Sequence, residues 1–274
     1  MPVIFEMLSY PFMQRAFASG LVLAALLAAL GIFVTIRKMS FFSDGIAHSS
    51  LAGIAIAVIS GLAPLPVALT WALIVALIIW RLERSTRLPS DTLIGVFFTA
   101  SMALGVVLMS LSRGYQPELL SYLFGSILSI QTRDLLTIAV IAALVMIWLI
   151  LSFRQLTYLS LSEDNAAVSG INVPVQTAAL YVALSLATVL GVKILGIVLV
   201  SALIVIPPAA GRAMTGSFRG YVVAALVLAE IMMVAGLTVS YLYDLPSGAT
   251  IVLIGTALFF LAAGGRWLRT VLTA

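Results

Sequence analysis

The sequence predicts an all-helical, polytopic membrane protein with about nine transmembrane helices, within a range of about eight to ten set by the ~20 apolar residues that one crossing needs. Three observations carry this. Of the 274 residues, 63% are hydrophobic and 9% are charged, whereas a soluble domain carries about 25% charged residues. The apolar runs are long enough to cross a bilayer as helices. They also lack the two-residue alternation of a membrane barrel strand.

The elements follow in order. Residues 1–14, with Pro2 and Pro11, form a short mixed lead-in. Span one covers Phe17–Ile36, with no small-residue cleavage pattern after it, so it reads as a span rather than a cleaved leader. Span two covers Gly45–Gly61, and the turn Ala63-Pro64-Leu65-Pro66 leads to span three, Val67–Trp80. A basic loop from Arg81 to Arg87 precedes span four, Thr92–Leu111. The apolar insert Leu119–Leu128 is too short to span, and reads as a surface or re-entrant helix. Span five is Leu135–Phe153, and residues 154–173 are the most polar block of the chain. Span six, Pro174–Leu190, is separated by a tight break at Gly191-Val192-Lys193 from span seven, Ile194–Ala210. Pro208 in span seven removes a backbone donor and is expected to break the helix. Spans eight and nine are Tyr221–Tyr241 and Ser247–Gly264. The loops leave no room for a soluble domain, so residues 1–274 are read as one transmembrane domain.

Charge sets the orientation. With alternating spans, ten of the 14 basic residues fall on one side, among them Arg37, Lys38, Arg81, Arg84, Arg212 and Arg266. Arg15, Arg113, Arg133 and Lys193 fall on the other. The positive-inside rule makes the richer side cytoplasmic, with the C-terminus inside. The net charge of +4 then reflects topology rather than nucleic-acid binding. Cysteine is absent, which excludes a disulfide framework and a thiolate metal site. No G-x-x-x-x-G-K-[ST] run occurs, so no P-loop nucleotide site lies on this chain. No nucleophile–base pair suggests an enzyme.

Three places carry candidate chemistry. Asp44 and His48, the chain's only histidine, stand four residues apart. That spacing puts them on one face of a helix. Together they offer oxygen and nitrogen donors to a divalent metal. The plainer alternative is an Asp44 cap on a helix starting at Gly45, with His48 hydrogen-bonded to a neighbour. Glu230 falls near the middle of span eight, where a charge costs ~2.5–3.5 kcal/mol on insertion scales. It belongs either to a transport path or to a structural hydrogen bond, and in both cases needs a partner. The block 160–174 reads as a helix of two to three turns. Ser160 and Glu163 would form its capping box, Glu163 and Asp164 would suit its positive end, and Gly170 would stop it. It is either an ordinary capped loop helix or a docking helix for a cytoplasmic partner, with Ala166 and Ala167 as small groove-filling side chains.

Four stretches go further. They are Arg37-Lys38-Met39-Ser40-Phe41-Phe42-Ser43-Asp44-Gly45-Ile46-Ala47-His48-Ser49-Ser50-Leu51-Ala52-Gly53, Leu123–Leu128, Asp164–Ile171 and Val200–Pro207, joined by Leu245–Ala249. In these the chain resembles the membrane permeases of metal-ion ATP-binding-cassette importers, which take up zinc, manganese or iron, and whose fold is similar to that of type II importer permeases. The resemblance implies a half-transporter in the bacterial inner membrane. A second copy would complete a homodimer, a cytoplasmic ATP-binding subunit would hold and hydrolyse ATP, and an extracytoplasmic binding protein would deliver the metal. No cofactor would be bound permanently; zinc or manganese would be cargo. Asp44 and His48 would line the metal path. The segment around Glu163, Asp164, Ala166, Ala167 and Gly170 would be the coupling helix that docks on the ATPase. Glu230 is assigned to the path on its place in the middle of span eight alone, outside any motif. Two rival readings are a permease for a metal chelate such as a siderophore, and a proton-coupled secondary transporter using Asp44, His48 and Glu230 as a relay.

Overall fold

The structure, a computed structural model, describes residues 7, 9–86, 88–111 and 132–273. Every regular element among them is a helix: α1 Pro11–Ile36, α2 Phe42–Ser60, α3 Pro64–Thr86, α4 Ser90–Leu111, α5 Thr132–Leu161, α6 Glu163–Val168, α7 Val173–Leu195, α8 Ile197–Met214, α9 Phe218–Tyr243 and α10 Ser247–Thr273. Among the described residues, nine of these are long and apolar enough to cross a membrane; α6 is the exception. The insert Leu119–Leu128 lies outside the described residues.

Burial divides the helices into inner and outer members. In α1 and α7, 72% of the most apolar window is buried within the chain, against 22% in α4 and 17% in α10. The first two form the centre, and the last two turn broad apolar faces outward, as lipid requires. Around that centre stand two lobes. In one, α2 packs on α3 and α4; in the other, α8, α9 and α10 pack on one another. Helix α1 leans on α8, α9 and α5, while α7 leans on α3. The Trp80 indole N–H donates to the Pro174 carbonyl at 3.1 Å, pinning the end of α3 to the start of α7.

Close approach needs small residues where two membrane helices cross. At Gly31, a Cβ would lie 2.0 Å from the Ile204 carbonyl oxygen, so α1 meets the backbone of α8 there. Helix starts are held by side chains that satisfy otherwise unpaired amides. Asn172 Oδ1 accepts from the Val175 amide at 3.2 Å, and Ser217 Oγ from the Gly220 amide at 3.2 Å.

Several boundaries differ from those expected. Most spans run longer, because charged residues continue the helices beyond the apolar core: α3 absorbs Arg81 to Thr86, and α5 runs on to Leu161. The expected break at Gly191–Lys193 is helical. The chain turns at Gly196, whose φ of 81° is a conformation glycine reaches at little cost. Pro207 and Pro208 do not end α8 either, which continues to Met214. Neighbouring helices stabilise such prolines inside a membrane bundle.

Candidate functional site

Helix α2 begins at Phe42, and Phe41, its N-cap, makes no side-chain cap. Asp44 therefore sits inside the first turn and does not cap a helix starting at Gly45. Its carboxylate has a different partner: the Ser201 hydroxyl of α8 donates to Asp44 Oδ1. This bond is a polar link between the two lobes. One turn further on, His48 packs edge-on against Phe98 of α4, with ring centroids 4.9 Å apart and planes at 88°. His48 Nδ1 is buried and has no hydrogen-bond partner among the described residues. Both side chains are half-buried. A carboxylate and an imidazole thus share one helix face, the first hydrogen-bonded from across the bundle and the second packed on an aromatic ring.

Glu230 lies on α9, in the other lobe. It is half-buried, and its Oε2 is buried without a hydrogen-bond partner among the described residues. The partner expected for it is not found there. Nor does it join Asp44 and His48, since no group of three or more His, Cys, Asp or Glu among the described residues could hold a metal ion. One chain therefore brings together two of the three expected donors.

The surface helix α6 is shorter than expected and is capped differently. It has six residues, and Ser162 is its N-cap, with Oγ accepting from the Asn165 amide at 3.3 Å. Ser160 lies in the last turn of α5, so it cannot form the capping box. Because α5 runs on to Leu161, only Ser162 has the extended backbone of a cap. Glu163 is turned to Arg37 instead, with Nη2 and Oε1 3.0 Å apart. Gly170 does act as the stop, with φ 78°. Of the small residues expected on the docking face, Ala166 turns inward and is fully buried. Asp164, Ala167 and Val168 face outward, and Val168 is 91% exposed.

Beside α6 the ends of α1, α3 and α5 and the start of α4 border an open surface pocket of about 320 Å³, lined by Arg37, Met39, Glu83, Ser90, Ser162 and Glu163 among others. Glu83 is a residue that sequence reasoning passed over as part of a basic loop. Tyr181 donates to its Oε2 at 2.6 Å, and the Ser90 hydroxyl donates to Oε1. Ser201 was also missed as a site residue, although it lies in the Val200–Pro207 stretch. Its serine is the one polar side chain in that apolar run, which is the available signal.

Comparison with known proteins identifies the family. The profile of the ABC 3 transport family matches residues 9–265. The high-affinity zinc uptake system membrane protein ZnuB of Haemophilus influenzae is 32% identical over 247 residues, covering 90% of this chain and 95% of that protein. The manganese transport system membrane protein MntC of Halalkalibacterium halodurans is 33% identical over 257 residues, covering 94% and 88%. Among solved structures, PsaBC from Streptococcus pneumoniae in complex with a Fab matches with a TM-score of 0.82 at 27% identity, over 95% of this chain and 94% of that one. A metal-chelate type ABC transporter in an inward-facing conformation shares the fold, with a TM-score of 0.76 at 18% identity, over 97% of this chain and 89% of that one. The chain belongs to the ABC 3 transport family and is a multi-pass membrane permease.

Proposed function

We propose that this permease imports a divalent transition-metal ion, zinc or manganese, past Asp44 and His48. The observation that carries the reading is the pairing of these two donors on one face of α2, with an imidazole nitrogen left unpartnered among the described residues. Carboxylate and imidazole suit zinc, manganese and iron alike, so the donors set the class of cargo rather than its identity. A site with two donors per chain also suits transit. A pathway must bind its ion well enough to admit it and weakly enough to release it. The remaining coordination would come from water or from a second copy across a homodimer axis, and Glu230 would serve the same path at another level.

The zinc and manganese systems to which ZnuB and MntC belong by name support this cargo. The ion would be handed over by an extracytoplasmic binding protein, and ATP would be hydrolysed by a cytoplasmic subunit docked at α6. The permease itself would break no bond. The end carrying α6 would face the cytoplasm, since Arg37, Lys38, Arg81, Arg84, Arg212 and Arg266 lie toward it and the positive-inside rule orients such ends inward. The C-terminus would lie on the same side. A chelate permease is the weaker reading, because a chelated metal already has its donors and leaves no task for Asp44 and His48.

Metal content of cells lacking the gene tests this proposal. Zinc, manganese and iron are measured together under scarcity of each. A selective fall in zinc or manganese, restored by the gene, is the expected result. Unchanged contents of all three would refute it.

A further inference from the structure

We propose that the Arg37–Glu163 ion pair is a strut that carries movement of the docking helix to the helix that handles the metal. This rests on the reading of α6 as the docking site of an ATPase and of α2 as part of the metal path.

The two residues are 126 positions apart and belong to different kinds of element. Glu163 opens the surface helix α6, and its side chain is 58% exposed. The Arg37 side chain is only 9% exposed, so it is set into the body of the permease. Its Nε is buried without a hydrogen-bond partner among the described residues. The pair therefore joins an outer surface helix to a residue buried in the body of the permease, and Glu163 supplies the counter-charge that a buried guanidinium needs.

What Arg37 is attached to gives the pair its consequence. Arg37 closes α1, its amide held by the Phe33 carbonyl at 3.0 Å. The turn from Arg37 to Phe41 then leads directly into α2, with Asp44 in the first turn. This turn is braced along its length. The Met39 amide donates to the Val34 carbonyl at 3.0 Å, and the Phe42 amide to the Met39 carbonyl at 2.9 Å. Met39 is 1% exposed, and the Tyr181 hydroxyl lies against its sulfur at 3.7 Å. Lys38 holds a φ of 59°, a left-handed conformation that a non-glycine residue keeps only when its surroundings impose it. A stiff turn passes a displacement on, where a loose one would absorb it.

The neighbouring space allows such a displacement. An open pocket of about 320 Å³ lies beside the start of α6, with Arg37 and Glu163 both on its wall. Glu83, the other carboxylate lining it, is already engaged by Tyr181 and Ser90. The start of α6 therefore has open space beside it into which it can shift, with Arg37 following Glu163. An ordinary helix clip would need neither the buried arginine nor the braced turn.

The test uses the full transporter, permease with ATPase and binding protein, in proteoliposomes. Metal uptake and ATP hydrolysis are measured together, and a crosslink from residue 167 to the ATPase reports docking. Glu163→Gln and Arg37→Gln are made singly and together, and the melting temperature of each complex confirms that it is assembled. The expected result, read first on Arg37→Gln because Arg37 lies outside the docking helix, is intact docking with metal moved per ATP reduced about fivefold or more, the lower end of usual coupling between sites. The double variant should be no worse than the poorer single one, because both remove the same link. Glu163→Gln with an unchanged ratio overturns the strut, as do single effects that multiply in the double variant. Loss of the 167 crosslink in Glu163→Gln also overturns it, by making Glu163 a contact with the ATPase. Should the wild-type complex give no crosslink from residue 167, the docking reading itself falls, and the strut with it.

Discussion

Replacing Ser201 by alanine probes the metal path without touching either proposed donor. The substitution removes the hydroxyl that donates to Asp44 Oδ1 from across the lobes. Alanine fits the space serine leaves, so the effect falls on Asp44. A hydrogen bond to a charged group is worth about 1.5–3 kcal/mol. Partners that orient a metal's ligands independently cost about 10–100-fold in metal affinity when removed. The two scales agree, since 1.5–3 kcal/mol corresponds to roughly 10–150-fold at ~1.4 kcal/mol per decade. ATP-driven uptake by the reconstituted transporter should therefore need about tenfold more metal or greater for half-maximal rate, with a smaller change in maximal rate. Ser201→Thr keeps the hydroxyl and should recover most of the loss. A Ser201→Ala transporter whose half-saturating metal concentration stays within about twofold of wild type would show that Asp44 is not steadied by this contact for metal handling.

Other expectations address separate parts of the molecule. Glu230→Gln preserves shape and hydrogen-bonding capacity while removing the charge, and should lower uptake at an unchanged melting temperature. A fall in melting temperature with uptake retained would make Glu230 structural. Gly31→Ala places a Cβ 2.0 Å from the Ile204 carbonyl oxygen, so α1 and α8 must separate; the expected cost is about 1–3 kcal/mol. A melting temperature equal to wild type in detergent would contradict that close crossing. Ala167→Arg, on the outer face of α6, should yield a folded permease that co-purifies poorly with its ATPase. Ala166→Arg, at a fully buried position, should instead destabilise the permease itself. Equal behaviour of the two variants would refute the inward and outward assignment.

How much was readable in advance depended on the range of the interaction. The membrane helices follow from apolar length, a local property, and the order of the nine found among the described residues was legible before any coordinates. Asp44 and His48 were legible as a pair because helical spacing alone puts them on one face. Their supports were not. Ser201 lies 157 residues from Asp44, and Glu163 lies 126 from Arg37. Nothing local to either residue specifies such a partner. The cap of α6 shows a subtler limit. Ser160 and Ser162 both fit the local pattern, and the choice depends on how far α5 continues, which packing decides. Likewise, Gly191 and Gly196 are both plausible breaks, but Gly191 is packed with a would-be Cβ 2.7 Å from Val200, and only Gly196 adopts a positive φ. Which small side chain of α6 faces outward was also beyond reach, since six residues give too little periodicity to tell an inner from an outer face.

The central claim is that a divalent metal crosses this permease past the donors of α2. The most direct measurement is ATP-driven uptake of radiolabelled zinc and manganese by proteoliposomes holding the complete transporter, comparing wild type with His48→Ala at equal assembly. The wild type should accumulate one of these ions only when ATP is present on the ATPase side. The His48→Ala transporter should lose most of that uptake while keeping its ATPase bound. A well-assembled His48→Ala transporter that accumulates metal at the wild-type rate and half-saturating concentration would contradict the account.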